Sequence, residues 1–370
     1  MRARPRPDDR RRLTRLRLAA QRLVLRPASS PVDAVRAMLA LQGQDYPGVK
    51  WSAALRTSSG IEADVEAALD AGEIVRSWPM RGTLHMVAAA DLPWMLELTA
   101  RRALASVERR RAVLGISEAD TRRARDLAEA ALPGRSTATR AELLHTIEAG
   151  GVSTSGQRGY HLLWHLAQTG TLVLGPTRGR EQAFARLESW IPCPRRLERD
   201  EALGELARRY FMSHGPANVE DLARWSGLTI RDVRRGIEVA AASLTTLELG
   251  GRPYLVDAAL PDTVDDEAAT LLLPGFDEYL LGYRDRSPAL SPEHSSGVVP
   301  GGNGMFKPTI VVDGEVVGTW RRTARTRTVT IEAALFAGMA PPPPDQLAAA
   351  ADRFGRYLGV GVRLSSPPAA

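Results

Sequence analysis

The sequence predicts an α+β protein, mostly helical, in which one arrangement of helices and a hairpin occurs three times before a C-terminal β-rich portion. Apolar residues recur at helical spacing over long stretches and switch to strand-like runs at three places before residue 260. Capping residues and glycine-containing turns separate these segments. The 370 residues are 44% hydrophobic, which is enough for two or three domains at roughly 100–200 residues each.

The first copy of the arrangement lies in the N-terminal third of the chain. Ser30 and Pro31 are typical of a helix start, and this helix is expected to run through Leu41 and end near Gly43. Three helices followed by a two-stranded hairpin are the outline of a winged helix. The predicted elements are helices over 13–25, 31–43, 51–57 and 62–71, then strands over 74–78 and 83–87 around Arg81-Gly82.

Two more copies follow the long helices predicted over 91–131. In the second, Thr139 caps a helix, another helix covers 157–169, and Gly175–Gly179 is a wing-like turn. The third has helices over 200–212, 218–225 and 233–241 and a hairpin around Gly250-Gly251. The predicted domains are 1–134 (basic arm, first winged helix and connecting helices), 135–195 (second winged helix), 196–260 (third winged helix) and 261–370.

The last domain is expected to be β-rich and to pack with the winged helices. Strands are predicted over 271–273, 309–312 and 316–320, with Asp313-Gly314 as a hairpin turn. The segment Ser287–Gly304 is rich in Pro, Ser and Gly and is predicted to be a long loop, which is usually functional or disordered. Asp345 is predicted to cap a closing helix.

Composition excludes several classes of protein. A single cysteine, Cys193, excludes a disulfide scaffold and a zinc site built from several thiolates. No apolar run approaches the roughly 18 residues of a membrane span, and the N-terminus lacks the apolar core of a secretory signal, so a cytoplasmic protein without membrane contact is expected. Aromatic residues make up only 5%, which argues against a stacking platform for single strands.

The formal charge of +6 is unevenly distributed. Residues 1–26 hold ten arginines against Asp8 and Asp9, so the rest of the chain is nearly balanced. This basic arm is either a solvated, partly frayed terminus or a phosphate contact. A second cluster, Arg321, Arg322, Arg325 and Arg327, lies in strand-like sequence beside a turn, where phosphate contact is favoured.

The sequence lacks the common catalytic motifs. His161 and His165 are four residues apart, but no glutamate base and no third ligand accompany them, so no metal is expected. The chain has no phosphate-binding loop, no dinucleotide fingerprint and no serine nucleophile elbow. Asp277-Glu278 follows a strand and is either a helix start or a catalytic pair.

Four stretches together resemble the AlkZ/YcaQ family of winged-helix DNA glycosylases. They are Leu41–Asp45 (LQGQD) with the segment 47–56 after it, Arg81–Val87 (RGTLHMV), Leu273–Ser287 (LPGFDEYLLGYRDRS) and Gly304–Arg322 (GMFKPTIVVDGEVVGTWRR). Gln42-x-Gln44 matches the AlkZ branch, whereas the YcaQ branch has Gln-x-Asp. Asp45 stands one residue beyond the second glutamine, so its part in the site stays open.

The resemblance implies three tandem winged helices around a basic channel and a monofunctional enzyme without metal or other cofactor. It implies hydrolysis of the bond between deoxyribose and an N7-alkylated purine in double-stranded DNA. The AlkZ branch further implies bulky adducts or interstrand crosslinks made by a DNA-alkylating natural product, as in self-resistance. We expect a monomer with no obligate protein partner.

Two glutamines suffice for this reaction in principle, and Gln42 and Gln44 are the predicted catalytic residues. A carboxamide is no general base, but N7-alkylguanine is already cationic and leaves without protonation. The remaining task is to hold one water and to place dipoles near an oxocarbenium-like sugar. Neighbours two apart do not share a helix face, so both amides converge only if the backbone leaves the helix near Gly43.

Further residues are predicted to contact DNA. Arg81, His85 and Arg286 are placed at phosphates beside the lesion, although each is equally suited to a structural hydrogen bond. The loop Ser287–Gly304, with His294 and Asn303, is expected to enter a groove. The predicted phosphate clamps are Lys307, Arg321 and Arg322.

Two other functions remain open from the sequence. A winged-helix transcriptional regulator would bind duplex DNA without catalysis, commonly as a dimer on a palindrome. A protein-interaction scaffold would show no salt-dependent affinity for DNA. A glycosylase differs from both because it leaves alkali-labile abasic sites.

Overall fold

A computed structural model describes residues 7–58, 60–179, 181–260 and 269–365, and its helical residues outnumber its strand residues. The α+β class is therefore confirmed. The helices are α1 (Pro7–Ala20), α2 (Pro31–Met38), α3 (Tyr46–Leu55), α4 (Glu62–Ala71), α5 (Leu92–Val113), α6 (Glu118–Ala131), α7 (Arg140–Ala149), α8 (Arg158–Gln168), α9 (Leu187–Trp190), α10 (Arg199–His214), α11 (Val219–Ser226), α12 (Ile230–Val239), α13 (Glu278–Leu281), α14 (Ser295–Val298) and α15 (Pro344–Leu358). The strands are β1 (Ala40–Gln42), β2 (Ile74–Met80), β3 (Thr83–Ala88), β4 (Thr137–Ala138), β5 (Leu172–Arg178), β6 (Glu181–Arg186), β7 (Leu244–Leu249), β8 (Arg252–Asp257), β9 (Thr270–Leu273), β10 (Thr309–Val312), β11 (Glu315–Ala324), β12 (Thr328–Leu335) and β13 (Gly361–Ser365).

The first two hairpins belong to one six-stranded sheet with the order β1-β3-β2-β5-β6-β4. Strands β2 and β5 join the hairpins through the pair Arg76 and Leu174. The sheet thus crosses residue 134, where the sequence suggests a domain boundary. The third hairpin, β7 with β8, forms a separate two-stranded sheet.

The C-terminal sheet has the order β13-β12-β11-β10-β9 and shares its core with the N-terminal helices. Trp51 of α3 packs edge-on against Phe354 of α15 at 5.1 Å and donates its indole N–H to the carbonyl of Leu272 at 2.8 Å. Trp320 of β11 packs against the same Phe354 ring. Burial of these large rings makes the two ends of the chain one hydrophobic unit.

The N-terminal helix is docked rather than frayed. Arg17 is only 3% exposed, donates to the carbonyl of Pro216 at 3.0 Å and lies 3.7 Å from the ring centre of Tyr283. Arg10 pairs with Glu315, and Arg15 pairs with Asp313. Arg10 and Arg15 are thus neutralised by carboxylates of the C-terminal domain, while Arg17 is buried against Pro216 and Tyr283, so these three arginines serve the fold.

The helix predicted to end near Gly43 ends earlier. Helix α2 stops at Met38, and Leu39 adopts a left-handed backbone with φ of 65°. The chain then forms β1, which pairs antiparallel with β3. The prediction was wrong because Leu41 fits the helical spacing of Val35 and Met38, whereas its partner strand lies far along the sequence.

Three C-terminal features also differ from expectation. The segment Ser287–Gly304 contains α14 and buries Val298 completely, so it is ordered rather than a plain loop. Helix α15 begins at Pro344, and Asp345 lies in its first turn instead of capping it. Strand β12, missed in the sequence, extends the sheet through pairing with β11, and β13 then adds to it in parallel.

Candidate active site

The paired glutamines lie at the end of a strand. Gln42 is the last residue of β1 and stands opposite His85 of β3, and the N–H of Gly43 continues the ladder by donating to the carbonyl of Leu84 at 2.7 Å. Gln44 follows as an exposed residue just before α3. β1 ends at Gln42, and Gln44 lies in a bend two residues further on. The backbone does leave the helix here, but through Leu39 rather than through Gly43.

Gln42 is held at both its side chain and its backbone. Arg81 donates from Nη2 to Gln42 Oε1 at 3.0 Å, which directs the carboxamide oxygen toward the guanidinium. The backbone N–H of Gln42 donates to Glu278 Oε1 at 2.7 Å. These two charged partners, one of each sign, fix the orientation of Gln42 more strongly than neutral hydrogen bonds would.

The residue between the glutamines is held by Arg76. Arg76 donates from Nε to the carbonyl of Gly43 at 2.7 Å and from Nη1 to Gln182 Oε1 at 2.7 Å. A Cβ on Gly43 would lie 3.1 Å from Arg76 Cδ, so glycine allows this close approach. Burial lowers the pKa of Arg76 to about 10, which still leaves it cationic at neutral pH.

Behind Gln42 lies a buried carboxylate, Glu278. Its Oε2 accepts a hydrogen bond from the indole N–H of Trp225 at 2.8 Å, and His214 Nε2 stands 3.5 Å away. Burial raises the pKa of Glu278, but the neighbouring His214 imidazole, His85 and the Trp225 N–H together lower it below its usual value. Glu278 is therefore ionised at neutral pH, although it is only 1% exposed.

The neighbouring Asp277 has a structural position. It accepts the N–H of Tyr279 at the start of α13 and binds Arg56 through both carboxylate oxygens, at 2.9 and 3.0 Å. Burial acts to raise the pKa of Asp277, yet the Arg56 charge and hydrogen bonds lower it overall. Of the two alternatives for Asp277-Glu278, Asp277 is thus the helix start, while Glu278 faces the glutamine strand.

Arg81 connects three parts of the candidate site. It is exposed at the tip of the β2–β3 hairpin with φ of 53°, and besides Gln42 it donates to the carbonyl of Trp225 at the end of α11. Its Nη2 also lies 3.4 Å from His85 Nε2. Arg81 therefore joins the glutamine strand to α11 while keeping part of its surface open to solvent.

The sequence predicts His85 as a phosphate contact or as a structural hydrogen-bond partner, and the structure places it in the interior rather than at a surface open to DNA. It is completely buried, and its Nδ1–H donates to the carbonyl of Thr83 at 2.8 Å. Burial and the nearby Arg81 charge lower the pKa of His85 to about 4, so the ring is neutral at pH 7. The structural hydrogen-bond role, the alternative left open by the sequence, fits this position.

Residues 35–357 match the family model described as DNA glycosylase AlkZ-like. The chain belongs to this family. It is 28% identical over 332 residues to the Interstrand DNA cross-link repair glycosylase of Streptomyces sahachiroi, covering 84% of this chain and 87% of that one. The solved structure of the S. sahachiroi DNA glycosylase AlkZ superposes with a TM-score of 0.78 and 25% identity, covering 96% of this chain and 99% of that one.

In this AlkZ-like chain, Arg286 belongs to a cationic cluster that the sequence did not reveal completely. It donates from Nε to the carbonyl of Leu280 at 2.8 Å and lies 4.9 Å from the ring centre of Phe306. Burial and the charges of Arg224 and Arg81 lower the pKa of Arg286 to about 10. Arg224, exposed on α11, was missed because nothing in its local sequence distinguishes it from other surface arginines.

The remaining predicted DNA contacts of the AlkZ-like fold have different surroundings. His294 stacks on Phe336 at 4.8 Å, and Asn303 accepts the N–H of Met305. Lys307 is exposed. Arg321 pairs with Glu332 at 2.5 Å, and Arg322 lies 5.3 Å from the ring centre of Phe354. Because Arg321 and Arg322 are adjacent in β11, their side chains leave opposite faces of the sheet. Lys307 and Arg321 are the exposed cations among these candidates, and the Arg321 side chain is 79% exposed.

The described residues form neither a metal cluster nor a membrane-spanning helix. No group of three or more His, Cys, Asp or Glu side chains in this part of the chain is placed to hold a metal ion. His161 and His165 are instead flanked by Arg111. None of the helices over the described ranges is long and apolar enough to cross a membrane.

Proposed function

We propose that this chain is a monofunctional DNA glycosylase that hydrolyses the N-glycosidic bond of N7-alkylated purines in duplex DNA, including bulky adducts and interstrand crosslinks. Membership of the AlkZ-like family and the name of its S. sahachiroi relative support the substrate class. The observation that carries the proposal is the fixed Gln42 side chain at a strand end, two residues before an exposed Gln44.

The chemistry needs no general base of high pKa. Alkylation at N7 leaves the purine positively charged, so the bond between C1′ and N9 breaks with its electron pair going to the base, which becomes neutral. A water oxygen then bonds to C1′, and its proton passes to solvent. The transition state carries positive charge on the sugar, as in glycoside hydrolysis.

Gln42 and Gln44 hold this water. Arg81 occupies one side of Gln42 Oε1, and a carbonyl-type oxygen has a second lone pair for a water O–H. Gln44, exposed two residues beyond the end of β1, supplies the second acceptor. Holding the nucleophile in position removes part of the entropic cost of a bimolecular attack.

Glu278 sets the electrostatic potential behind the water. Its ionised carboxylate lies one hydrogen bond from the Gln42 backbone and opposes the positive charge of Arg81. A preorganised negative group favours a sugar that becomes positive in the transition state. Arg81 is left to meet a DNA phosphate on its exposed side.

The architecture that presents this site is three tandem winged helices around a basic channel. The segments with α2 to α4 and β2–β3, and with α10 to α12 and β7–β8, each combine three helices with a hairpin, and residues 135–195 combine α7 and α8 with the hairpin β5–β6. We keep the boundaries 1–134, 135–195, 196–260 and 261–370, a monomeric state and a cytoplasmic location as parts of the proposal.

The test is release of free base from defined duplexes. The purified chain should liberate N7-methylguanine and a bulkier N7 adduct from duplex DNA, leave alkali-labile sites, and cut no strand before alkali treatment. Release from neither substrate, together with sequence-dependent binding as a dimer, would assign the chain to the transcriptional regulators instead.

A further inference from the structure

Met305 is a large apolar side chain held out in solvent. It is 57% exposed, follows Gly301, Gly302 and Gly304 with φ of 64°, 63° and 78°, and its N–H donates to Asn303 Oδ1 at 2.9 Å. Burying an exposed side chain of this size in a partner is favourable.

The segment that carries Met305 is anchored immediately behind it. The Phe306 ring packs against Phe276 at 6.2 Å, and Arg286 covers it from the other side. A Cβ on Gly275 would lie 2.6 Å from the carbonyl oxygen of Phe306, so the two backbones are in close contact. The N–H of Lys307 donates to the carbonyl of Val298 at 3.0 Å. Met305 is therefore the exposed tip of a segment whose backbone is held in place by Phe306 and Lys307.

A cationic depression lies beside this tip. It measures about 650 Å³ and is lined by Arg224, Arg284 and Arg286 on one side and by Phe306 and the glycine segment on the other. Over the described ranges, no carboxylate oxygen comes within 4.0 Å of these three guanidinium groups. The adjacent Asp285 turns away, to Ser287 and Arg252.

The depression is electrostatically coupled to the glutamine site through Arg81. Arg81, which binds Gln42 Oε1, interacts electrostatically with Arg224 and with Arg286. Arg286 in turn covers the ring of Phe306, the neighbour of Met305. The guanidinium groups of Arg224, Arg284 and Arg286 repel one another until anions bind between them, and successive phosphates of a DNA strand are such anions.

We propose that Met305 is an apolar wedge that enters the base stack of bound duplex DNA beside the alkylated nucleotide, while Arg224, Arg284 and Arg286 hold the adjacent phosphates. The inference rests on the proposed function for its substrate, duplex DNA. Apolar side chains of this kind open a base step when charged neighbours hold the backbone. Methionine is suited to the task because it is unbranched and adapts to an irregular gap.

The experiment uses a duplex that cannot be excised, with a stable abasic analogue at the target position and 2-aminopurine as its neighbour. Binding of the unaltered chain should raise 2-aminopurine fluorescence as the step opens. Met305→Ala should lose most of this rise, whereas Met305→Leu should keep it. Val113→Ala is the matched control, because Val113 is also an exposed apolar residue, 70% exposed at the end of α5.

A second arm measures affinity for the same duplex against salt. Arg224→Ala should weaken binding and reduce the slope of log K against log salt by about 1, since one phosphate contact is lost. Arg196→Ala, in which an exposed arginine 3.9 Å from Glu97 is removed, should leave the slope unchanged. Inorganic phosphate at the same ionic strength as chloride should not compete with DNA; full competition by phosphate would indicate a free-anion site instead.

If Met305→Ala raises the 2-aminopurine fluorescence as much as the unaltered chain does, Met305 is not a wedge. If Arg224→Ala leaves the slope of log K against log salt unchanged, Arg224 does not contact a phosphate. Neither arm requires base excision. A chain that opens the base step but releases no base would therefore refute the proposed function and support the role of Met305. A chain that releases base without opening the step would support the proposed function and refute the role of Met305.

Discussion

Glu278 Oε1 accepts the backbone N–H of Gln42 at 2.7 Å, so a buried, ionised carboxylate lies directly behind the glutamine strand. The same carboxylate binds the indole N–H of Trp225 through its other oxygen. One side chain thereby ties β1 to α11 and places a negative charge next to the site where we propose that a sugar becomes positive.

Glu278→Gln should slow base release more than it weakens DNA binding. The variant keeps the size of the side chain but removes its charge, and its amide nitrogen must face either the Gln42 N–H or the Trp225 N–H, both of which are donors. We expect a single-turnover rate about tenfold lower, equivalent to ~1.4 kcal/mol in the barrier. Rates and affinities on N7-methylguanine duplexes would be measured together.

The control for this prediction is Glu118→Gln, which alters a carboxylate whose side chain is 94% exposed on α6. A purely structural Glu278 would lower thermal stability and affinity together with the rate. A Glu278→Gln protein with the rate of the unaltered chain would exclude the electrostatic role.

Gln44→Ala should reduce the single-turnover release of N7-alkylguanine by at least about tenfold, because one of the two groups that hold the water is removed. DNA affinity should stay similar, since Gln44 is exposed and a neutral amide adds little to phosphate binding. Gln44→Asn retains the amide at a shorter reach and should recover part of the rate. Equal rates for Gln44→Ala and the unaltered chain would remove Gln44 from the mechanism.

The limits of the sequence are clear at this strand. Local signals sufficed for the hairpin around Arg81-Gly82 and for the helix starts at Ser30 and Thr139, because each depends on a few adjacent residues. The end of α2 was misplaced since β1 exists only through its pairing with β3, about 45 residues later. Such non-local pairing leaves no periodic signal in three residues.

In the candidate site too, local sequence indicates some residues, while others are brought in from distant segments by the fold. The resemblance selected Gln42 and Gln44, but the residues around them come from distant segments. Arg76 of β2 binds the Gly43 carbonyl, Glu278 of α13 accepts the Gln42 N–H, and Trp225 of α11 binds Glu278. The resemblance suggested His85 as a phosphate contact, with a structural hydrogen bond as the alternative. Its complete burial depends on packing that the sequence does not display.

Gly43→Ala should impair catalysis with little loss of stability. The new methyl group would lie 3.1 Å from Arg76 Cδ and 3.2 Å from Arg76 Nε, so Arg76 must move away from the Gly43 carbonyl that separates the glutamines. We expect a rate about tenfold lower and a change of ~1 kcal/mol or less in the free energy of unfolding. Gly361→Ala is the control, because its methyl group would meet only ordinary contacts at 3.6 Å. A fully active Gly43→Ala protein would show that the Arg76 contact does not position the motif.

The buried His85 makes stability depend on pH. Its pKa is lowered to about 4 by burial and by Arg81, whereas an unfolded histidine titrates near 6.5, so between these values only the unfolded chain binds the proton. The contribution is complete above pH 6.5 and is lost as pH falls toward 4, up to roughly 3 kcal/mol in total. Chemical denaturation at pH 7 and pH 5 should therefore show a steeper loss for the unaltered chain than for His85→Gln. His145→Gln, which changes an exposed histidine, should keep the original pH dependence, and identical pH dependence in all three proteins would contradict a neutral, buried His85.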